Sequence, residues 1–156
     1  AESESEVGRY FDWYSVDGIV FGEVPGAGDA CSAQAAQYQA WADFAHATNA
    51  PQSAFIAMNP GTDACEEYMA VADSVVIIEQ TGAEISGWAA QAWVAAYPSE
   101  KFWLLAHSTP QSDLAGVVSL ARDNNVGLVY ITDDLLPNPW NALPTYFSEL
   151  IAEISQ

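Results

Sequence analysis

Five short apolar runs, each closing on polar residues and separated by stretches of helical pattern, limit what this chain can become. The first is Asp17-Gly18-Ile19-Val20-Phe21-Gly22-Glu23-Val24-Pro25, and the third, Ser74-Val75-Val76-Ile77-Ile78-Glu79, repeats its design with a terminal glutamate. Between them Ala54–Met58 runs into Asn59-Pro60-Gly61-Thr62. Lys101–His107 and Gly127–Thr132 follow, the latter leading into Asp133 and Asp134. Apolar runs without polar alternation predict strands buried on both faces, as parallel sheets require.

The intervening stretches predict helices. Ser32 can cap a helix running to Thr48, with Tyr38, Trp41, Ala42 and Ala45 on one face, before Pro51 stops it. Asp63 and Glu66 have capping-box spacing for a short helix through Ala72. Ser86 opens a stretch rich in alanine and tryptophan that ends before Pro98. Leu114, Val117, Val118 and Ala121 mark a stripe closed by Asn124 and Asn125. Pro144 starts a last helix with Phe147, Leu150, Ile151 and Ile154 toward the core. The aromatic cluster Tyr10–Tyr14 is expected to end a helix that packs on the sheet.

Strand-helix alternation of this kind means right-handed crossovers and a parallel sheet. Five units are too few for a closed eight-fold barrel, which needs ~200 residues or more. The pattern alone leaves either an open doubly wound sheet or part of a (β/α)8 barrel. At 156 residues and 51% hydrophobic, the chain is expected to bury one core as a single domain, 1–156. Residues 1–7, acidic and small, are expected to be disordered or a cleavage remnant.

Parallel sheets keep their chemistry at the carboxyl ends of the strands. Glu23, Asn59, Glu79, His107, Thr132, Asp133 and Asp134 collect there. His107 also suits a structural histidine, Asp133 and Asp134 suit loop caps, and Asn59-Pro60-Gly61 suits a turn. Glu23 and Glu79 are harder to explain structurally. A glutamate directly after an apolar strand is expected to be partly desolvated, and only Arg9, Lys101 and Arg122 are available to pair with it. Two such carboxylates side by side divide into an acid and a base.

Other chemistries find little support. The chain has no H-E-x-x-H, C-x-x-C or G-x-S-x-G motif, and Gly26-Ala27-Gly28 lacks the spacing of a phosphate cradle, so no metal or cofactor is expected. Twenty-one acidic residues against three basic ones give a charge of -18, which repels nucleic acid and anionic membrane. No apolar run approaches the ~18 residues of a membrane span. Cys31 and Cys65 each follow a predicted strand, and consecutive strands bring such loops together. A disulfide there is expected, and with it an oxidising compartment; two buried free thiols are the alternative. Trp88, Trp140 and Tyr146 lie near loops, and aromatic faces beside carboxylates suit a sugar.

Trp13-Tyr14 through Glu23, Asn59–Thr62, Ala72–Glu79, Val129–Asp133 and Asn138-Pro139-Trp140-Asn141-Ala142-Leu143-Pro144 together resemble the spherulin-4 family over nearly the whole chain. The resemblance implies a secreted or cell-surface (β/α)8-barrel glycoside hydrolase cutting galactosamine-containing polysaccharide of the galactosaminogalactan type, with about the last five units present. It also implies catalytic acids at the barrel mouth. The family's first-strand pattern ends in Asp-Glu; here the glutamate matches Glu23, but the aspartate position is Gly22. The third strand's acid matches Glu79. With that glycine, the chain reads either as a glycosidase using Glu23 and Glu79, or as a catalytically impaired wall or matrix protein that binds polysaccharide or self-assembles. Asn59, His107, Asp133, Tyr130 and Trp140 are the expected sugar contacts, and the negative charge favours a cationic amino sugar. A second chain or self-association is expected to supply the missing barrel strands. A domain binding a phosphorylated ligand is the weakest reading, for want of a basic cradle.

Overall fold

A computed structural model describes residues 2–156. Its strands are β1 (Gly18–Gly22), β2 (Phe55–Asn59), β3 (Ser74–Thr81), β4 (Phe102–His107) and β5 (Leu128–Ile131). They are hydrogen-bonded as one parallel sheet in the order β1-β2-β3-β4-β5. This order follows the sequence without reversal. A doubly wound sheet has a switch point where the order turns back, so that alternative fails. The winding is that of five consecutive strands of a (β/α)8 barrel.

The chain divides into two compact units, one up to Val75 and one from Val76 to Gln156. In the first, β1 and β2 pair from Gly18↔Phe55 to Gly22↔Asn59. Two helices, α1 (Glu2–Trp13) and α2 (Asp29–Thr48), pack on each other. The core gathers Ile56, Met58, Ala42, Ala45 and Tyr68. Tyr68 stands edge-on to Tyr38, at 5.9 Å between ring centroids. Several expectations are corrected here. Glu2–Val7 are helical, with Val7 buried; Ala1 lies outside the described residues. α2 begins at Asp29, so Ser32 sits inside the helix and Gly28 precedes it. The aromatic cluster does end a helix, but Tyr10, Trp13 and Tyr14 are all more than half exposed. β1 is not buried on both faces: Val20 is 66% exposed. The expected helix through Ala72 is a 3-10 helix at Glu66–Ala70, started by Cys65 rather than Asp63.

In the second unit β4 and β5 pair from Trp103↔Leu128 to Ala106↔Ile131. The core holds Val76, Ile77, Phe102, Leu104, Ile131 and Leu150. Thr81 and Glu84 form a reciprocal capping box, and that starts α3 (Gly82–Ile85). Ser86 therefore closes a helix instead of opening one, and the Ala/Trp-rich stretch is only a 3-10 helix at Ala92–Ala96. Gly82 is required there. A Cβ on it would come within 2.4 Å of the Thr109 hydroxyl, and Thr109 is fully buried. The stripe of α4 (Leu114–Asp123) is buried as its pattern predicts, and Asn125 follows it in the left-handed region at φ 59°. The last helix, α5 (Phe147–Ile154), starts three residues after Pro144 and buries Leu150, while Ile151 and Ile154 are 44% and 39% exposed. Among the described residues no helix is long and apolar enough to cross a membrane.

Candidate functional site

In the first unit, the pairing Gly22↔Asn59 sets the ends of β1 and β2 level. Glu23 is the first residue beyond β1. It lies in the left-handed region at φ 55° and is exposed, not desolvated as its sequence context predicts. A non-glycine residue in that region costs free energy that the surroundings must supply, and such residues gather at functional sites. The Val24 N–H donates to the Asn59 carbonyl at 3.3 Å. The Asn59 side-chain oxygen accepts from the Gly61 N–H at 2.8 Å, so the turn reading of Asn59-Pro60-Gly61 holds. Behind this rim the disulfide Cys31–Cys65 joins the first turn of α2 to the loop after β2, with Cα atoms 6.2 Å apart. The Tyr68 hydroxyl donates to the Pro25 carbonyl at 2.8 Å, and the Ala27 N–H donates to the Asp63 carbonyl at 2.7 Å. Burial raises the Tyr68 phenol to about 12.

Gly22 itself is open. A Cβ built there meets nothing within 4 Å, and its φ is an ordinary one. The backbone does not need a glycine at this position.

In the second unit, Glu79 lies inside β3, two residues before its end, and is half-buried. The ends of β4 and β5 carry a second group of predicted residues. His107 is 8% exposed, and its Nδ1 lies 3.0 Å from the Ser108 hydroxyl. Ser108 is left-handed at φ 51°, directly after β4, as Glu23 is directly after β1. The Ser108 N–H donates to the Asp134 carbonyl at 2.9 Å, and the Thr109 N–H donates to the Thr132 carbonyl at 3.0 Å. These bonds tie the two strand exits together.

The strap from Leu135 to Leu143 carries Trp140. Its ring stands edge-on to His107 at 6.0 Å and to Tyr130 at 5.9 Å, and it is 37% exposed. The Tyr130 hydroxyl donates to the Ala142 carbonyl at 3.0 Å, which pins the far end of the strap. Burial raises the Tyr130 phenol, with smaller contributions from the Asp134 and Asp133 charges. Asp133 accepts the Thr145 N–H at 3.0 Å on one oxygen and the Thr145 hydroxyl on the other. Those two bonds, the hydroxyl first, hold its carboxyl below the usual aspartate range. Tyr146 is core: its hydroxyl donates to the Thr109 carbonyl at 2.6 Å, and burial raises it to about 12.

His107, Tyr130 and Trp140 thus come together, Asp133 is tied to Thr145 instead, and within the first unit Glu23 and Asn59 stand at adjacent strand ends. Ser108 and Thr145 escaped the sequence reading. The Thr81-Gly82-Ala83-Glu84 capping pattern was legible and marks the loop beyond Glu79; nothing in the sequence tells Asp133 from Asp134. An aromatic wall beside hydroxyls and carboxylates can hold a polyhydroxylated ring by its apolar face and its edge. Among the described residues no three His, Cys, Asp or Glu side chains gather as a metal site would need.

The profile of the Spherulin4 family, described as spherulation-specific family 4, matches residues 1–154. Spherulin-4 of Physarum polycephalum is 31% identical over 102 residues, which are 59% of this chain and 30% of that protein. The chain thus matches less than a third of that relative's length. Among solved structures it is similar to Aspergillus clavatus Sph3, crystallised in complex with GalNAc. The TM-score is 0.78 at 21% identity, covering 99% of this chain and 66% of that one. At that identity the likeness speaks for the fold.

Proposed function

The chain belongs to the spherulation-specific family 4, and from that premise we propose that it is a secreted or cell-surface protein acting on galactosamine-containing polysaccharide. The observation that carries the reading is the cluster of Trp140, Tyr130 and His107 at the exits of β4 and β5. Aromatic rings with one exposed flank and polar neighbours suit the mixed surface of a pyranose. The fold neighbour Sph3 holds GalNAc, which is consistent with an amino-sugar ligand. Asn59 and His107 contribute hydrogen bonds, and the surplus of acidic residues draws a cationic amino sugar over a neutral one.

For the chemical step we assign Glu23 and Glu79. One carboxyl protonates the leaving glycosidic oxygen as the bond to the anomeric carbon breaks. The other carboxylate attacks that carbon or activates a water. Water ends as the new anomeric hydroxyl, and its proton returns to the acid. Gly22 supplies neither proton nor nucleophile, so the rate rests on two acids where the family pattern has three.

The test is incubation with partly deacetylated galactosaminogalactan, reading new reducing ends. Wild type is expected to release them, and Glu23→Gln or Glu79→Gln to lower the rate by at least about 100-fold. Gly22→Asp, which fits without a clash, is expected to raise it. Binding with no release by wild type sinks the hydrolase assignment.

That outcome leaves a binding protein of wall or matrix, a second reading favoured by Gly22 and by the exposed position of Glu23. Pairing of β1 with a second chain or another copy belongs to the same proposal, because Val20 on that strand is 66% exposed. A sedimentation mass equal to that of one chain at micromolar concentration would remove it.

A further inference from the structure

Tyr10, Trp13 and Tyr14 recur at the three- and four-residue spacing that gives a helix one apolar face, yet no core receives them. They stand 54%, 68% and 58% exposed, and Val7 is the buried residue of α1. The three rings line one groove of 260 Å³ together with Glu6 and Arg9. Tyr14, one residue past α1, is kept on this side by its N–H, which donates to the Tyr10 carbonyl at 3.0 Å. Tyr10 and Tyr14 pack at 5.9 Å between ring centroids, tilted by 37°, and the Arg9 guanidinium carbon lies 5.8 Å from the centre of the Trp13 ring. Side chains already ordered in this way lose little more freedom when a ligand arrives. Large exposed rings gathered in one place mark a binding surface.

The groove lies away from the Glu23 rim of the same unit. α1 ends four residues before β1, at the strand's N-terminal end, and Glu23 follows the C-terminal end, about 16 Å further along. Chemistry decides what the groove can take. Its lining is three aromatic and two charged residues with no aliphatic side chain, so it offers flat faces edged by hydrogen-bonding groups, which suit a sugar ring. Residues 1–75 carry twelve acids and a single lysine or arginine, Arg9. Glu2, Glu6 and Asp12 are exposed on α1 itself. A second copy, equally acidic at -18, is repelled; a cationic strand is drawn in.

We propose that α1 carries a second polysaccharide-binding site. Amino-sugar units of a cationic polymer stack there against Trp13 and the Tyr10–Tyr14 pair, while Glu6 and Arg9 hydrogen-bond their hydroxyl groups. The assignment rests on the carbohydrate reading above and adds a foothold that does no chemistry. Holding the polymer there raises its effective concentration at the Glu23 rim.

The test combines retention on partly deacetylated galactosaminogalactan with hydrogen exchange read by peptide. In wild type the polymer is expected to slow exchange across residues 6–16. Trp13→Ala with Tyr14→Ala is expected to abolish that protection and weaken retention at least about tenfold. Both side chains stand largely in solvent, so the variant is expected to keep the wild-type melting temperature; should it melt early, the wild-type exchange pattern alone decides. Retention of wild type without protection at 6–16 overturns the site and leaves the carbohydrate reading intact. Absence of retention overturns both. Equal protection of 6–16 by the fully N-acetylated polymer overturns the choice of a cationic strand. A wild-type sedimentation mass of two chains that the variant halves overturns the site in favour of a second copy.

Discussion

At β1 the sheet is thinly covered. β1 has no fully buried residue, Val20 stands in solvent, and the start of α2 is held to the loop after β2 by a covalent link between Cys31 and Cys65. At β3 and β4 the arrangement is reversed. Val76, Ile77 and Ile78 are buried in succession, Phe102 and Leu104 are sealed, there is no cysteine, and the loops are held by hydrogen bonds from Tyr146, Tyr130 and Thr145. Where apolar burial is scarce, a cross-link limits the unfolded chain instead. Where burial is ample, the exit loops are left to weaker, directional bonds and can be shaped around a ligand. Both units place a left-handed non-glycine residue directly after a strand, Glu23 in one and Ser108 in the other.

The largest expected effect breaks the cross-link. Cys31→Ser with Cys65→Ser opens a loop of 34 residues, and chain entropy puts the loss at about 3–4 kcal/mol. Hydrogen exchange read by peptide is expected to speed up between residues 18 and 68 and stay unchanged between 102 and 150. Equal acceleration on both sides would erase the distinction between the two regions. Gly82→Ala probes the dense side. Its new Cβ meets buried Thr109 atoms at 2.4 to 3.0 Å, and overpacking of that kind costs about 1–3 kcal/mol. Adding Thr109→Ala should restore most of the lost melting temperature.

Tyr146→Phe is next, at about 1–2 kcal/mol, because it strips a buried carbonyl of its donor. The same hydroxyl and that of Tyr68 make alkaline stability diagnostic. Burial raises both to about 12, so the native state holds protons that the unfolded chain gives up near the ordinary value of 10.0. Their contribution is complete below 10.0 and is lost as pH climbs toward about 12. Tyr146→Phe should blunt the alkaline decline of the second unit alone. The smallest effect is that of Asp133→Asn. The native carboxyl is held low by Thr145, so its contribution is present above the usual aspartate value and lost as pH falls through the lower native one. Melting curves of wild type should therefore fall in acid more steeply than those of the variant.

The winding and parallel pairing were legible because unbroken apolar runs at regular spacing admit few other arrangements. The edges were not. Gly18–Gly22 is as apolar as Ser74–Ile78, yet one is half exposed and the other buried, since position in the strand order decides coverage and no residue encodes it. Ser86 was misread because the Thr81–Glu84 box just before it had already started the helix, and Gly87 follows too soon to extend it. At the site, His107, Tyr130 and Trp140 could be nominated one by one as polar or aromatic residues near strand exits. Their meeting depends on how the strap folds back to Ala142, twelve residues beyond Tyr130. The difference between Asp133 and Asp134 depends in the same way on Thr145.

The empty space around Gly22 bears on how such a protein changes over generations. Nothing in the packing penalises a longer side chain there, and nothing rewards its absence. A mutation that adds an acid at this spot meets no packing penalty, and on the proposed function its effect would be read in the polysaccharide alone. On that reading the scaffold would tolerate exchange of glycine and acid here in either direction with its packing unchanged.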